Sequence, residues 1–363
     1  MSKIPIMRPK LAVTERLVGY LHRIDRSQVY SNFGPLALAL EGRLAQHYSL
    51  STGTITTVAN ATLGLTLTLA ALEAKPGTLC AMPAWTFVAS AHAVVSGGLV
   101  PYFIDVDPRT WSIDASVVAD HISRAPGPVG AIMPVAPFGQ PVDTAAWDAF
   151  RDETGIPVVI DAAAGFDSLV PGATPTVVSL HATKVLGTAE GGFVICTDPS
   201  IVQRVRRASN FGFDGSRRAT VAATNAKMSE YHAALGHAEL DEWRETRAEW
   251  IAAAGVYRSA LGGSNRVRLQ DGFGEKWVSS TCILHTANAA AHRIETALTA
   301  AEIETRHWWG RGAHAHPATG QFPRASLPVT EALADSTIAV PFYRDISSAA
   351  VARVAEIALG ASS

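Results

Sequence analysis

Val158-Val159-Ile160-Asp161-Ala162-Ala163, then Ser179-Leu180-His181-Ala182-Thr183-Lys184 and Gly187-Thr188-Ala189-Glu190-Gly191-Gly192, decide how this 363-residue chain is read. The first run is an apolar strand that ends on an acid. A carboxylate directly after Val-Val-Ile is expensive unless it is solvated or paired. The second run leads from another strand, Val177 to Leu180, into a lysine. The third is a small-residue turn that feeds a further strand, Gly192 to Cys196. In α/β folds, ligands gather beyond the carboxyl ends of strands, where Asp161 and Ser179 both fall.

Outward from this stretch, strand-like and helix-like segments alternate. Leu79 to Met82 ends at Pro83, Val100 to Ile104 ends at Asp105, and Ala131 to Val135 continues the series. Between them, Gly34-Pro35 opens a helix whose Leu36, Leu40 and Leu44 share a face. Asn60 to Leu72 has the length and alanine content of a buried helix, and Ala145 to Glu153 forms another. Such alternation predicts a mostly parallel sheet between helices, an α/β fold. Glu239 to about Leu261 reads as one long helical connector into a smaller carboxyl-terminal unit. That unit has a strand candidate, Trp277 to Leu284, and helices near Asn288 to Ala301 and Ala349 to Leu359. The expected division is a large domain over 1–240, with an N-terminal arm over 1–30, and a small domain over 241–363.

Composition narrows the class. Only 17% of residues are charged and 48% are hydrophobic, the balance of a folded globular chain. The net charge of −2 and the lack of a basic run give no sign of a nucleic-acid or anionic-membrane partner. Cys80, Cys196 and Cys282 are odd in number and far apart, which fits neither a disulfide framework nor a zinc site. Met1 to Lys10 lacks the apolar core of a signal peptide, and no apolar run is long enough to span a membrane. A cytoplasmic location is expected.

A strand-end acid followed by a lysine supplies the two electronic handles that a pyridoxal phosphate (PLP) enzyme needs. The lysine condenses with the aldehyde, and the carboxylate keeps the ring nitrogen protonated. Asn60-Ala61-Thr62, opening a helix, offers backbone N–H groups and a hydroxyl to a phosphate. Taken singly, Asn60 is equally a helix cap. Ser179 offers a second hydroxyl or simple packing, and Phe87 a ring-stacking face or a core aromatic. The order and spacing of the set carry the reading.

These motifs resemble the DegT/DnrJ/EryC1/StrS family of PLP-dependent sugar aminotransferases. The likeness runs from Asn32-Phe33-Gly34-Pro35 and Glu41 to the end of the chain. Asn60-Ala61-Thr62 stands where the family has Ser-Gly-Thr. Pro83-Ala84-Trp85-Thr86-Phe87-Val88-Ala89 matches its Pro-Ser-x-Thr-Phe-x-Ala. Phe103 to Asp107 and Pro137 to Pro141 match two further segments, Ser179 to Lys184 its Ser-Phe-x-x-x-Lys, and Glu190-Gly191-Gly192 the turn after it. Asn225-Ala226-Lys227-Met228-Ser229-Glu230 resembles its Asn-x-Arg-Met-x-Glu.

The resemblance implies the aspartate-aminotransferase-like fold type I and a homodimer with shared active sites. It implies PLP held by Asn60, Ala61, Thr62, Phe87, Asp161, Ser179 and Lys184, with Asn225 reaching the partner subunit's phosphate. Lys184, where some sugar-modifying relatives carry His, implies transamination rather than deoxygenation. Thr305 to Gly310, Leu327 to Glu331 and Ala339 to Tyr343 resemble the subgroup that aminates carbon 4 of dTDP-4-keto-6-deoxyglucose. L-glutamate is then the amino donor, the acceptor is a nucleotide-linked keto sugar, and dTDP-4-amino-4,6-dideoxyglucose is the product. Asn32, Phe33, His307, Trp308 and Tyr343 are candidate sugar contacts.

Three departures stand out. Ala164 replaces a polar Gln or His usually beside the cofactor, Ala61 replaces a glycine, and Asn210-Phe211-Gly212 replaces Asn-His-Gly. The alternatives are a 3-keto-sugar aminotransferase, a PLP-dependent sugar dehydratase or lyase, and a non-catalytic PLP-binding regulator, to which Ala164 lends weight. His307, His314 and His316 lack a carboxylate at ligand spacing, so no metal is expected. Asp105-Val106-Asp107 reads as a turn, and one of Trp308 and Trp309 as core.

Overall fold

The computed structural model describes residues 3–362. Seven short strands build its centre: β1 (Ile55–Val58), β2 (Leu79–Pro83), β3 (Val100–Ile104), β4 (Val129–Ile132), β5 (Ile160–Asp161), β6 (Thr176–Ser179) and β7 (Gly192–Ile195). One part has the order β3-β2-β4 and the other β5-β6-β7-β1. Parallel bridges at Ile132–Val158 and Val135–Asp161 join β4 to β5, so the parts form one continuous surface. Only β7 runs against its neighbours, β1 and β6. The strands read as continuous apolar runs because helices cover both faces of a mostly parallel sheet.

Two strand expectations shift for a stated reason. Pairing near Ala131 to Val135 is regular only to Ile132, because Pro134 has no N–H to give the ladder. Its carbonyl still accepts from Asp161 N at 2.8 Å, so the acid is fixed in register without a regular strand. Likewise the expected Val158 to Ile160 strand pairs from Val158 through isolated bridges, and its regular part is Ile160–Asp161.

The helices follow in chain order: α1 (Thr14–Ser27), α2 (Pro35–His47), α3 (Ala61–Ala71), α4 (Val88–Ser96), α5 (Ala115–Ser123), α6 (Thr144–Thr154) and α7 (Pro199–Ser209). After them come α8 (Glu230–Asp241), α9 (Trp243–Leu261), α10 (Ala291–Ala300), α11 (Pro328–Ser336) and α12 (Ser348–Ala361). The expected single connector over Glu239 to Leu261 is thus two helices. The chain turns at Glu242, which brings the buried Trp243 edge-on to Phe166 at 4.8 Å.

Helix α3 lies close on the sheet. A side chain on Gly64 would come within 2.9 Å of Val177, and one on Gly192 within 2.9 Å of the Ala61 amide. These two glycines therefore let the start of α3 sit against β6 and β7.

Beyond α9, β8 (Val267–Arg268), β9 (Cys282–Thr286) and β10 (Thr337–Val340) form an antiparallel sheet in the order β10-β9-β8. The strand expected over Trp277 to Leu284 begins only at Cys282. Upstream, the Trp277 indole donates to the Asp271 carbonyl at 3.0 Å, and Gly274 N donates to the Trp277 carbonyl at 2.7 Å, which closes a loop instead.

The chain start is tied to this smaller sheet. Ile4 bridges Ile303, and the Ile6 carbonyl accepts from Phe342 N at 3.0 Å. Residues beyond 311 return to the large sheet, where Arg324 bridges Phe103. Asp105 caps α11, accepting from Val329 N at 2.7 Å and Thr330 N at 2.8 Å. Asp107 closes a turn through the amides of Arg109 and Thr110, as expected of that segment.

Candidate active site

Strand ends, the start of α3 and the first turn of α4 converge on a cavity of about 500 Å³. Asn60, Ala61, Thr62, Phe87, Asp161, Ser179 and Lys184 all line it. One chain therefore gathers seven of the expected cofactor residues, drawn from four separate segments of the sequence.

At the α3 end, Asn60 caps the helix through Leu63 N at 2.9 Å, so the cap reading of this residue holds. Its side-chain oxygen is thereby occupied. The amides of Ala61 and Thr62, in the first helical turn, have no carbonyl within the helix to bond. An anion at this point meets oriented N–H groups and the positive end of the helix dipole. Ser179 adds a hydroxyl from the end of β6.

Asp161 is buried and fully engaged. Ser90 Oγ donates to its Oδ2 at 2.7 Å, and Ala163 N donates to its Oδ1 at 3.0 Å. Burial raises its pKa. The Ser90 and Ala163 bonds and the charge of Lys184 pull the other way. Lys184 follows a turn closed by its own N–H on the His181 carbonyl at 2.8 Å. Burial lowers its pKa, against the pull of Asp161. Its amine has no hydrogen-bond partner among the described residues. Phe87, which starts α4, is 52% exposed although it is a large apolar side chain; what it faces is the cavity.

Ala163 and Ala164 line the wall beside Asp161, so the polar Gln or His of related chains is replaced there by a methyl group. Residues distant in sequence complete the wall: Met7, Ser280 and Thr281, and, from the Thr305 to Gly310 stretch, Arg306, Trp309 and the expected sugar contact Trp308. Trp309 is buried and stacks on Phe138 at 3.8 Å between ring centres. Trp308 is half-buried with the Arg306 guanidinium 4.9 Å from its ring centre. The pair splits as expected, one core and one facing the site, although it lies in a turn rather than a strand.

Other expected residues lie elsewhere in the single chain. Asn32 and Phe33 line a separate open groove over residues 28–38, both with left-handed backbone. Arg206 sits 4.5 Å from the Phe33 ring centre and also pairs with the buried Glu41, so this strained turn is tightly held. Asn225 is exposed and bridges Asn210. His307 Nε2 lies 3.4 Å from Glu295 Oε2, beside the cavity rather than in its lining. Tyr343 is buried, with Arg8 5.6 Å from its ring centre.

Sequence reasoning missed Ser90, the one side chain hydrogen-bonded to Asp161 among the described residues. Its signal was slight: a serine in the small-residue start of α4, three residues after Phe87. No signal marked Met7, Ser280 or Thr281, which only the fold brings near.

A flat heteroaromatic aldehyde carrying a phosphate fits these groups. The amides of α3 and Ser179 suit the phosphate, Phe87 a ring face, Asp161 a protonated ring nitrogen and Lys184 the aldehyde carbon.

The comparisons agree. A dTDP-4-amino-4,6-dideoxy-D-glucose transaminase of Shigella dysenteriae is 33% identical over 65% of this chain and 64% of its own length. A UDP-2-acetamido-2-deoxy-3-oxo-D-glucuronate aminotransferase of Pseudomonas aeruginosa is 25% identical over 96% of each chain. The crystal structure of DesI in the presence of its TDP-sugar product superposes with a TM-score of 0.88 at 31% identity, over 100% of this chain and 94% of that one. The sequence profile of the DegT/DnrJ/EryC1/StrS aminotransferase family matches residues 12–358, and the chain belongs to that family.

Proposed function

We propose that the protein is a PLP-dependent aminotransferase that moves an amino group from L-glutamate to carbon 4 of dTDP-4-keto-6-deoxyglucose, yielding dTDP-4-amino-4,6-dideoxyglucose. The observation that carries the chemistry is the meeting of Lys184 and Asp161 in one cavity, with Phe87 and the start of α3 on its walls. PLP, when bound, supplies an electron sink that stabilises negative charge at the carbon losing its proton.

The chain's own groups do the rest. Lys184 lines the cavity, so as a free amine its Nζ can take a proton from a substrate carbon and return it elsewhere. Asp161 would hold the protonated ring nitrogen, and the two bonds from Ser90 and Ala163 fix the carboxylate's orientation. Asn60, Ala61, Thr62 and Ser179 would hold the phosphate end, and Phe87 would cover the ring. Trp308 and Arg306 at the rim offer an aromatic face and a cation to a nucleotide diphosphate.

Asn225, Asn32 and Phe33 belong to this reading through a homodimer in which they act on the partner's cavity. The exposure of Asn32 and Asn225 on the single chain and the rigid turn at Asn32 and Phe33 support that role. The division into a large unit over 1–240 and a small one over 241–363 is part of the same reading, with the site between their sheets.

Carbon 4 rests on the likeness of Thr305 to Gly310 and on the name of the Shigella relative. A 3-keto acceptor is the second reading, favoured by the Pseudomonas relative. The test is incubation with L-glutamate and a panel of dTDP-, UDP- and GDP-linked keto sugars, followed by mass spectrometry and product regiochemistry. Amination of the dTDP-4-keto sugar is expected. Turnover of 3-keto sugars alone would replace the acceptor, and loss of water without nitrogen transfer would replace the reaction class.

A further inference from the structure

Beside Asp161 on the cavity wall stand two hydroxyls to which the proposed chemistry gives no role. Thr86 and Ser90 are each 1% exposed, so neither has solvent to bond. Ser90 Oγ lies 2.7 Å from Asp161 Oδ2, and Thr86 Oγ1 lies 2.8 Å from Ser90 Oγ.

We propose that Ser90 is a positioning residue: held by Thr86, its hydroxyl fixes the Asp161 carboxylate and keeps it in the anionic form that a protonated pyridine nitrogen requires. The proposal takes its purpose from the PLP reading above, but its geometry stands without it.

A hydroxyl has one proton, which gives the pair a direction. With Asp161 ionised, Ser90 donates to Oδ2 and Thr86 donates to Ser90. Ala163 N donates to Oδ1 at 3.0 Å, so each carboxylate oxygen receives one protein donor. With Asp161 protonated on Oδ2 and that proton turned to Ser90, the chain reverses: the acid donates to Ser90, Ser90 to Thr86, and Thr86 must find an acceptor. The Phe87 carbonyl is the acceptor within reach, at 3.5 Å, the outer limit of a hydrogen bond. Reversal therefore keeps both short contacts but leaves the Thr86 proton almost unmet at the end of a buried chain. The relay thus opposes the tendency of burial to neutralise the acid. It also shares an anchor with the ring face, because Ser90 N donates to the Phe87 carbonyl at 3.1 Å. The acid and the aromatic wall are held by the same helical turn.

The direct test reads Asp161 in the protein without PLP, through its carbon-13 carboxyl resonance, assigned with Asp161→Asn. Ser90→Ala is expected to raise the Asp161 titration midpoint by roughly one to two pH units, the effect of losing one hydrogen bond to a buried charge. Thr86→Val, which leaves the Ser90 bond but removes its donor, is expected to move the midpoint the same way by less. Ser90→Thr restores the parent value. With PLP added, Ser90→Ala is expected to weaken cofactor binding by about tenfold, read by fluorescence titration. An Asp161 midpoint unchanged in both Ser90→Ala and Thr86→Val overturns the proposal. A parent protein that does not bind PLP, yet shows the midpoint shift, leaves the relay standing and removes the cofactor reading instead.

Discussion

The two ends of the cavity are made differently. The cofactor end is built from strand ends and helix starts, and its acid and its helix start are fixed by bonds or close backbone approach. Asp161 takes its register from Pro134, and the start of α3 is admitted by Gly64 and Gly192. The rim is built from loops and turns distant in sequence: Met7, Ser280, Thr281, Arg306 and Trp308. A rigid end suits chemistry that must recur unchanged, and a loop-built end suits a substrate preference that varies between relatives.

This contrast is broken most severely by Lys184→Ala. Amino transfer is expected to fall by at least about 10³-fold, with the large loss in kcat, because the variant removes the group that moves the proton. Steady-state kinetics at saturating sugar and glutamate check it. Asp161→Ala comes next. A loss of about 10²-fold in kcat is expected, together with weaker PLP binding, as the ring nitrogen loses its charged partner. Equilibrium dialysis separates the binding part from the rate part.

Rim changes should behave in the opposite sense. Trp308→Ala is expected to raise KM for the sugar nucleotide by roughly threefold to tenfold while the half-reaction with glutamate keeps its rate. A slower glutamate half-reaction in that variant would show that the two ends are not separate.

The division also explains what the sequence could reveal. The alternation of apolar runs, the Asp161 and Lys184 order, and the glycine turn after the lysine are local patterns, and the fold follows them. Strand limits near Pro134 and Pro157 were less legible, since pairing continues there through single bridges that no periodicity marks. The two-helix form of Glu239 to Leu261 depends on where Trp243 packs. Met7 was invisible because it belongs to a chain start drawn in by Ile303 and Phe342, contacts that span almost the whole sequence. Asn32, Phe33 and Asn225 share a different limit: what they do depends on a second chain.

The smallest predicted effect concerns the segment that carries Met7. It ends on the buried Glu239, whose carboxylate accepts from Ala12 N at 2.5 Å. Burial, against the pull of that bond and of Arg344, pushes Glu239 up to about 7. A carboxyl whose folded pKa exceeds its unfolded value stabilises the fold fully below about 4.5, and that contribution is lost as pH rises through about 7. Glu239→Gln keeps an acceptor for Ala12 without the charge. It is expected to match the parent's stability at pH 5 and to exceed it at pH 8, on the order of 2 kcal/mol, in urea unfolding. Equal stability of the two proteins at pH 8 would show that this anchor does not titrate.

The most direct check of the whole account is where PLP becomes attached. Borohydride reduction of the PLP-loaded protein, followed by digestion and mass spectrometry, is predicted to leave the pyridoxyl group on Lys184. Attachment at Lys227, whose amine is buried against the Phe211 ring without a hydrogen bond, or at no lysine at all, would contradict it.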